Sequence, residues 1–255
     1  MNTIQPTYFS ERETARRYHF YRPKVQEIIL RKVARQMAEL PLESALDVAC
    51  GTGDSARALC QIANRVVGVD TSKAMLAYAE GNGLETRHLA AERVSELDER
   101  FDLLSACMAF HWLDLDLAIP EMKSVTRPGG YWLIYNFAFD GHSHSEAFNV
   151  WWKEVYLRDF PAPSRGTMNM KGRVSDDPDM ERVWEESGEL GLRFSLDELV
   201  MFFTTQSNVE AATRKGYSFE EIEALLKGYL EGIDISGKFL YRYWVELLRF
   251  GGASS

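Results

Sequence analysis

Three acidic residues crowd one glycine turn in this chain: Asp47 four residues before Gly51, Asp54 directly after Gly53, and Asp70 at the end of the next apolar run. Leu46, Val48 and Ala49 suit a buried strand, and Gly51-Thr52-Gly53 suits a tight turn. After Asp54 the pattern changes to a helical one, with Ala56, Leu59, Cys60 and Ala63 at i, i+3, i+4 and i+7. Strand, glycine turn and helix open a nucleotide-type α/β site, where backbone without side chains lets a ligand come close.

Charge narrows the ligand. Gly51 to Ala56 fits the loose G-x-G-x-x-G/A pattern of dinucleotide sites. A pyrophosphate on the helix N-terminus, however, would be repelled by Asp47 and Asp54. A ligand with an ammonium and a sulfonium, as S-adenosylmethionine has, would be attracted. Val66 to Asp70 reads as the next strand, and the Asp70 carboxylate at its end is placed to accept hydrogen bonds from both hydroxyls of a ribose.

The segment Asp47-Val48-Ala49-Cys50-Gly51-Thr52-Gly53, with the acidic strand that ends at Asp70, resembles motif I of class I S-adenosylmethionine-dependent methyltransferases. Further strings recur in family order. Tyr18 and Arg22-Pro23 resemble the Y-x-x-x-R-P element of small-molecule methyltransferases, which folds over the cofactor. Ala109-Phe110-His111-Trp112-x-Asp114 resembles the type-11 enzymes and the trans-aconitate methyltransferase group. The resemblance implies cofactor contacts from Tyr18, Arg22, Asp47, Ala49, Cys50, Gly51, Gly53, Asp70, Thr71, Met75, Ala91, Glu92 and Met108. Where the family often carries an aspartate for the adenine amino group this chain has Ala90, which leaves adenine to backbone groups around Ala91 and Glu92.

His111 is the one histidine in an expected site; His19, His88, His142 and His144 fall on flanking elements or a loop. It is the candidate catalytic residue, as general base or as orienter of substrate, and the competing reading is a structural ring beside Trp112. Trp112, Trp151, Trp152 and Arg165 are candidate substrate contacts, the last three from an aromatic helix and loop that would make a substrate lid. A helix packed on the sheet is the alternative for Trp151 and Trp152. A carboxylate acceptor needs no deprotonation near neutral pH, and Arg22 or Arg165 could hold it. His142-Ser143-His144 is too sparse for a metal site, so no metal is expected.

The elements that must position these residues follow from pattern. Strands are expected over residues 84 to 89, 101 to 107 and 131 to 135, with a bend at Arg127-Pro128-Gly129-Gly130. Pro23 is expected just inside a helix carrying Val25, Ile28, Ile29 and Val33, and Pro120 in the first turn of another. Thr71-Ser72 caps a helix that Gly81-Asn82-Gly83 ends. Helices are also expected near 178 to 187, after the capping box Ser195 to Glu198, and over Ile222 to Tyr229. Phe239 to Leu248 is expected as the closing antiparallel strand, inserted beside the fifth.

The fold class is therefore α/β: a Rossmann-like, mostly parallel seven-stranded sheet with an antiparallel C-terminal strand, helices on both faces and a helical cap insertion. The segments are 1–41, an N-terminal helical cap; 42–139, the cofactor core; 140–180, a helix and loop insertion; and 181–255, completion of the core. The chain's 255 residues, 45% hydrophobic, support a sizeable core. A net charge of −9 and a pI near 5.2 argue against nucleic acid or anionic membrane as partner. Cys50, Cys60 and Cys107 all fall on core patterns and read as buried thiols in a reducing cytoplasm. A charged beginning and the lack of an apolar run of roughly 20 residues predict neither leader nor membrane span. A small-molecule substrate and a monomer or homodimer are expected. Two alternatives are a protein that binds S-adenosylmethionine without transferring its methyl, and an NAD(P)-dependent oxidoreductase, which Asp47 and Asp54 disfavour.

Overall fold

The computed structural model describes residues 9–162 and 170–251. Seven strands, β1 Leu42–Val48, β2 Ala63–Asp70, β3 Glu85–His88, β4 Phe101–Cys107, β5 Thr126–His142, β6 Met180–Leu192 and β7 Phe239–Phe250, form one sheet in the order β3-β2-β1-β4-β5-β7-β6. The first five are parallel, and the C-terminal strand is antiparallel and lies beside β5, as expected. The helices are α1 Arg12–Tyr21, α2 Gln26–Ala34, α3 Asp54–Leu59, α4 Lys73–Gly81, α5 Leu115–Ser124, α6 Glu146–Val150, α7 Leu157–Asp159, α8 Met170–Ser175, α9 Leu196–Phe203, α10 Ser207–Thr213 and α11 Phe219–Leu230. A π-helical turn, Trp151–Tyr156, joins α6 to α7.

The chain divides into two compact units. One comprises Lys24–Phe137, Arg165–Gly188 and Tyr243–Ser255; the other comprises Met1–Pro23, Ala138–Ser164 and Glu189–Arg242. The cuts differ from those the sequence suggested, because residues up to Pro23 and much of the C-terminal third share a unit with the helices after β5.

In the first unit β1 is buried from Ala45 to Val48, as befits the middle of a parallel sheet covered on both faces. Its core gathers Leu46, Val48, Val67, Val69, Leu104, Phe110, Trp132 and Ile134, with Leu248 and Phe250 from β7. The buried Trp132 donates its indole N–H to the Thr126 hydroxyl at 2.8 Å, and that hydroxyl donates to the Met122 carbonyl, also at 2.8 Å. In the second unit a cluster of rings packs beside buried aliphatics such as Leu199, Val200 and Leu226. Phe139 lies within 5.2 to 6.1 Å, centroid to centroid, of Phe148, Trp152, Phe202, Phe203, Phe239 and Tyr241.

Several local expectations are corrected. Residues 180–192 are a strand rather than a helix: from Trp184 the exposure alternates with period two, and as the last strand of the sheet β6 carries charges such as Arg182, Glu185 and Glu186 that hide its apolar period. Pro120 lies in the interior of α5, where it faces solvent beside an exposed Asp116 whose carbonyl has no amide hydrogen to receive. Pro23 precedes α2, whose N-cap is Val25. The Arg127 to Gly130 bend is an irregularity inside β5, where Phe101 to Leu103 of β4 faces Thr126 to Tyr131 and Gly129 takes φ +78°. Cys60 is exposed, since α3 stops at Leu59 and the expected helical face runs out with it.

Gly68 illustrates how tightly β2 packs below the turn. A Cβ there would come within 2.7 Å of Cys50 Sγ and 3.1 Å of Cys50 Cβ. Gly68→Ala should therefore cost about 1–3 kcal/mol by urea denaturation. The double variant Cys50→Ala/Gly68→Ala should regain most of that, and an unrelieved loss would locate the strain elsewhere.

Candidate cofactor site

The sheet order reverses between β1 and β4, and in open α/β sheets ligands bind beyond the carboxyl ends of the strands at that point. Both strands end there in the same conformation. Ala49, after β1, and Met108, after β4, each have φ +53°, a left-handed geometry that costs a residue with a Cβ roughly 1–2 kcal/mol. Neighbouring strands hold them: the amide of Cys50 bonds the Val69 carbonyl and that of Met108 bonds the Tyr135 carbonyl, each at 2.9 Å. Strain held in this way at strand ends marks a functional position. After Ala49 the chain continues through Gly51 at φ +55° and Gly53 at φ +85°. A Cβ on Gly51 would meet nothing within 4 Å, whereas one on Gly53 would strike Leu84 Cδ1 at 2.4 Å. Gly53 thus serves packing, and Gly51 opens the turn toward a ligand.

Asp70, at the end of β2, closes the turn. Its Oδ2 accepts from the Gly51 amide at 2.9 Å and its Oδ1 from the Ser72 amide at 2.7 Å. Burial pushes its pKa up, and the amides of Ser72, Gly51 and Thr71 oppose the rise. Each oxygen keeps a further lone pair, so the carboxylate can still receive hydroxyl protons.

The other two aspartates stand apart from the sequence-based picture. Asp47 has no exposed surface. It receives the Ser55 hydroxyl, leaves Oδ1 without a partner, and has its pKa pushed up to about 7 by burial, against the Ser55 and Ser105 hydroxyls. Direct contact between its side chain and a ligand, as the motif implied, is not what this geometry offers. Asp54 is paired with Lys24 at 2.6 Å, so its charge is largely neutralised. The acidic character of the turn therefore rests on Asp70 and on the ionised fraction of Asp47.

Among the remaining candidates in this unit, the Cys50 thiol is buried and its pKa is raised by burial and by Asp47 and Asp70, so it is inert packing against Gly68. Met75, the third residue of α4, is buried, and its amide is capped by Ser72 at 3.2 Å. Thr71 is exposed, and its carbonyl meets His88 Nε2 at 2.9 Å. Ala91 is buried, and the Glu92 carboxylate accepts the Asp114 amide at 2.9 Å, which ties the segment after β3 to the start of α5. His111 and Trp112 are half-buried in a single turn after Met108, with rings 4.9 Å apart. Thus β1, β2 and β4 bring Ala49, Gly51, Gly53, Asp70 and Met108 to the carboxyl end of one sheet.

Tyr18, Arg22, Trp151 and Trp152 belong to the other unit. Trp151 is buried among Phe148, Tyr156 and Phe203, and Trp152 is half-buried against Phe139. Tyr18 lies under the Arg22 guanidinium at 4.8 Å. Arg165 lies outside the described residues.

Sequence reasoning passed over Thr52, Ser105 and Tyr135. All three are buried: the Thr52 hydroxyl, in the turn itself, has no partner, the Ser105 hydroxyl faces Asp47, and the Tyr135 hydroxyl feels Cys107 and Asp47. The available signal was a polar residue near the carboxyl end of an otherwise apolar strand. The Asp70 carboxylate, with lone pairs to spare beside the open Gly51, fits a ligand that brings cationic and hydroxyl groups, as S-adenosylmethionine does.

Fold and site together define a class I, Rossmann-like cofactor-binding protein. Residues 46–134 match the family described as methyltransferase domain. A Dictyostelium discoideum protein named as a methyltransferase is 23% identical over 234 residues, 88% of each chain. The malonyl-[acyl-carrier protein] O-methyltransferase of Hamiltonella defensa is 35% identical over 111 residues, 42% of each chain. The trans-aconitate 2-methyltransferase of Deinococcus radiodurans is 35% identical over 95 residues, 36% of this chain and 37% of that one. The match thus spans about two fifths of the length of these two relatives. A solved structure named for a type II methyltransferase of Anaeromyxobacter dehalogenans superposes with TM-score 0.64 at 20% identity over 88% of this chain and 95% of that one, which shows a shared fold. Residues 46–134 are thus a methyltransferase domain of the class I fold, the kind that uses S-adenosylmethionine as cofactor.

Burial of Asp47 has a measurable signature. Its carboxyl titrates near 3.9 when unfolded, so between about pH 4 and pH 7 the folded chain holds a proton that the unfolded chain has released. This contribution makes stability fall as pH rises through that window and level off above it. The stability difference between wild type and Asp47→Asn should shift against the wild type by as much as ~4 kcal/mol from pH 4 to pH 7.5 in urea titrations. A difference that does not change with pH would mean that the carboxyl ionises freely in the fold.

Proposed function

We propose that the protein transfers a methyl group from S-adenosylmethionine to a small-molecule acceptor in the cytoplasm. The observation that carries this reading is the left-handed turn Ala49 to Gly53, closed by Asp70, beside a second left-handed strand end at Met108. When bound, S-adenosylmethionine supplies a methyl on a sulfonium, which an acceptor oxygen, nitrogen or carbon displaces in line. In this reading Asp70 accepts the ribose hydroxyls, Gly51 admits the ligand, and the backbone after Ala91 meets adenine. His111, beside the left-handed Met108, orients the acceptor or takes its proton.

Positioning alone can supply on the order of 7 to 11 kcal/mol of a barrier, so a strong base is not required. The trans-aconitate in one relative's name supports a small acceptor. Free thiols at Cys50, Cys60 and Cys107 suit a reducing compartment.

Asp70→Ala should weaken S-adenosylhomocysteine binding by about 1.5–3 kcal/mol, the range for hydrogen bonds to a charged group. Calorimetry that returns the wild-type affinity would remove Asp70 from the ribose. His111→Ala should keep cofactor affinity and slow turnover. A screen of small carboxylates, phenols and amines for acceptor-dependent release of S-adenosylhomocysteine tests the transfer itself, and binding without release from any class would count against it.

A further inference from the structure

Asp47 stands where a carboxylate is hard to keep. Near the end of β1, it is set by register beside Gly68 of β2 and Ser105 of β4, so its side chain and that of Ser105 emerge on one face of the sheet. The Ser55 hydroxyl of α3 donates to its Oδ2, the Ser105 hydroxyl faces it, and the Ala56 amide also reaches it. It has no exposed surface, and its Oδ1 is unpartnered. Among the described residues no cation pairs with it, and Lys24, which reaches the turn, is taken by Asp54. A buried carboxylate without a counter-ion is costly enough that the group keeps its proton instead.

The charge that faces it from β2 has its own sign. Burial first, and then the charge of Asp70, hold the Asp47 proton on, against the hydroxyls of Ser55 and Ser105. The thiols of Cys50 and Cys60 and the Tyr135 hydroxyl, from the turn, the end of α3 and β5, also feel Asp47, and all three stay protonated. Asp70 grips the Gly51 amide at 2.9 Å, so its influence on Asp47 measures the reach of any charge held at the turn. A positive charge bound beside Gly51 acts over a comparable distance with the opposite sign. Space for it exists, since a Cβ on Gly51 would meet nothing within 4 Å. All of these residues lie in one stretch of one unit, Lys24–Phe137.

We propose that Asp47 is the residue by which the site distinguishes the methyl donor from the spent cofactor. It holds its proton before the cofactor binds, gives that proton to solvent when a sulfonium is bound, and takes one back when the methyl leaves a neutral thioether. Both forms of the cofactor carry an ammonium, so the sulfonium charge is what separates them. Asp70, held by the amides of Gly51 and Ser72, attracts either form, whereas Asp47 adds negative charge only where the ligand induces it. Because a proton leaves on binding, affinity for the donor rises with pH up to about 7, the range in which the folded chain still holds the Asp47 proton. The proposal rests on the methyl-transfer reading and concerns the same site.

The test is calorimetry of the full chain at about pH 6, where the amino group of either cofactor form is already charged. Titrations in two buffers of different ionisation heat count the protons exchanged. Binding of S-adenosylmethionine is expected to release roughly half a proton or more, and binding of S-adenosylhomocysteine a small fraction of that. Between about pH 5.5 and pH 7 the preference for S-adenosylmethionine should rise about three- to tenfold in wild type and stay flat in Asp47→Asn. If Asp47→Asn does not fold, infrared difference spectra of wild type carry the comparison: the band of a protonated carboxyl must weaken on adding S-adenosylmethionine and persist with S-adenosylhomocysteine. Donor binding without proton release, or equal release with both ligands, would overturn the proposal. Release that survives in Asp47→Asn would overturn it too and assign the proton to another group, such as Asp70 or His111. Wild type that binds neither ligand would strike the methyl-transfer reading, and the proposal with it.

Discussion

The bond from the Gly51 amide to Asp70 is the constraint on which the cofactor site depends. β1 and β2 are parallel neighbours, so their carboxyl ends emerge side by side, and the turn after β1 is free to adopt many shapes unless something at the end of β2 holds it. Asp70 does so with one oxygen while its other oxygen fixes the start of the next connection through Ser72. One carboxylate thereby couples two loops. The left-handed torsions at Ala49 and Gly51 persist because the structure around them is over-determined.

Electrostatic selection at this turn works differently from what the three aspartates suggest when seen only as letters. A carboxylate inside the sheet, such as Asp47, is desolvated and drawn toward its neutral form, so it acts on the turn through Ser55 more than through its charge. A carboxylate at the first position of a short helix, such as Asp54, is open to a nearby lysine, and Lys24 takes it. Preference for a cationic ligand over a pyrophosphate then comes from Asp70 and from buried oxygens still lacking hydrogen bonds, not from a cluster of fixed negative charges.

Motif and core strands were legible because their signals are local. Ala45 to Val48 and Phe101 to Cys107 are runs rich in apolar residues and bounded by turns, Ser195 sits three residues before Glu198 in a capping box, and the C-terminal strand lies beside β5 as expected. What failed depends on partners distant in sequence. β6 looks helical because its glutamates and arginine report exposure at a sheet edge, which no local period encodes. Arg22 reads as part of a motif, and only the structure shows its guanidinium over the Tyr18 ring and bonded to the Thr205 carbonyl. Trp151 shows an aromatic side chain but not whether that ring turns inward, and here it packs against Phe148 and Phe203.

Each unit has buried polar atoms without partners among the described residues. In the first they include a carboxylate oxygen of Asp47 and the Thr52 hydroxyl; in the second, nitrogens of Arg22, Trp151 and Gln206 and the Tyr241 hydroxyl. Buried polar atoms without partners cost free energy, typically about 1–3 kcal/mol each, so a fold keeps such sets where a ligand repays them. For a methyl donor such as S-adenosylmethionine the attraction to a carboxylate such as Asp70 weakens as the methyl moves, because the sulfonium becomes a neutral thioether. A site built on that attraction holds the donor better than the spent cofactor.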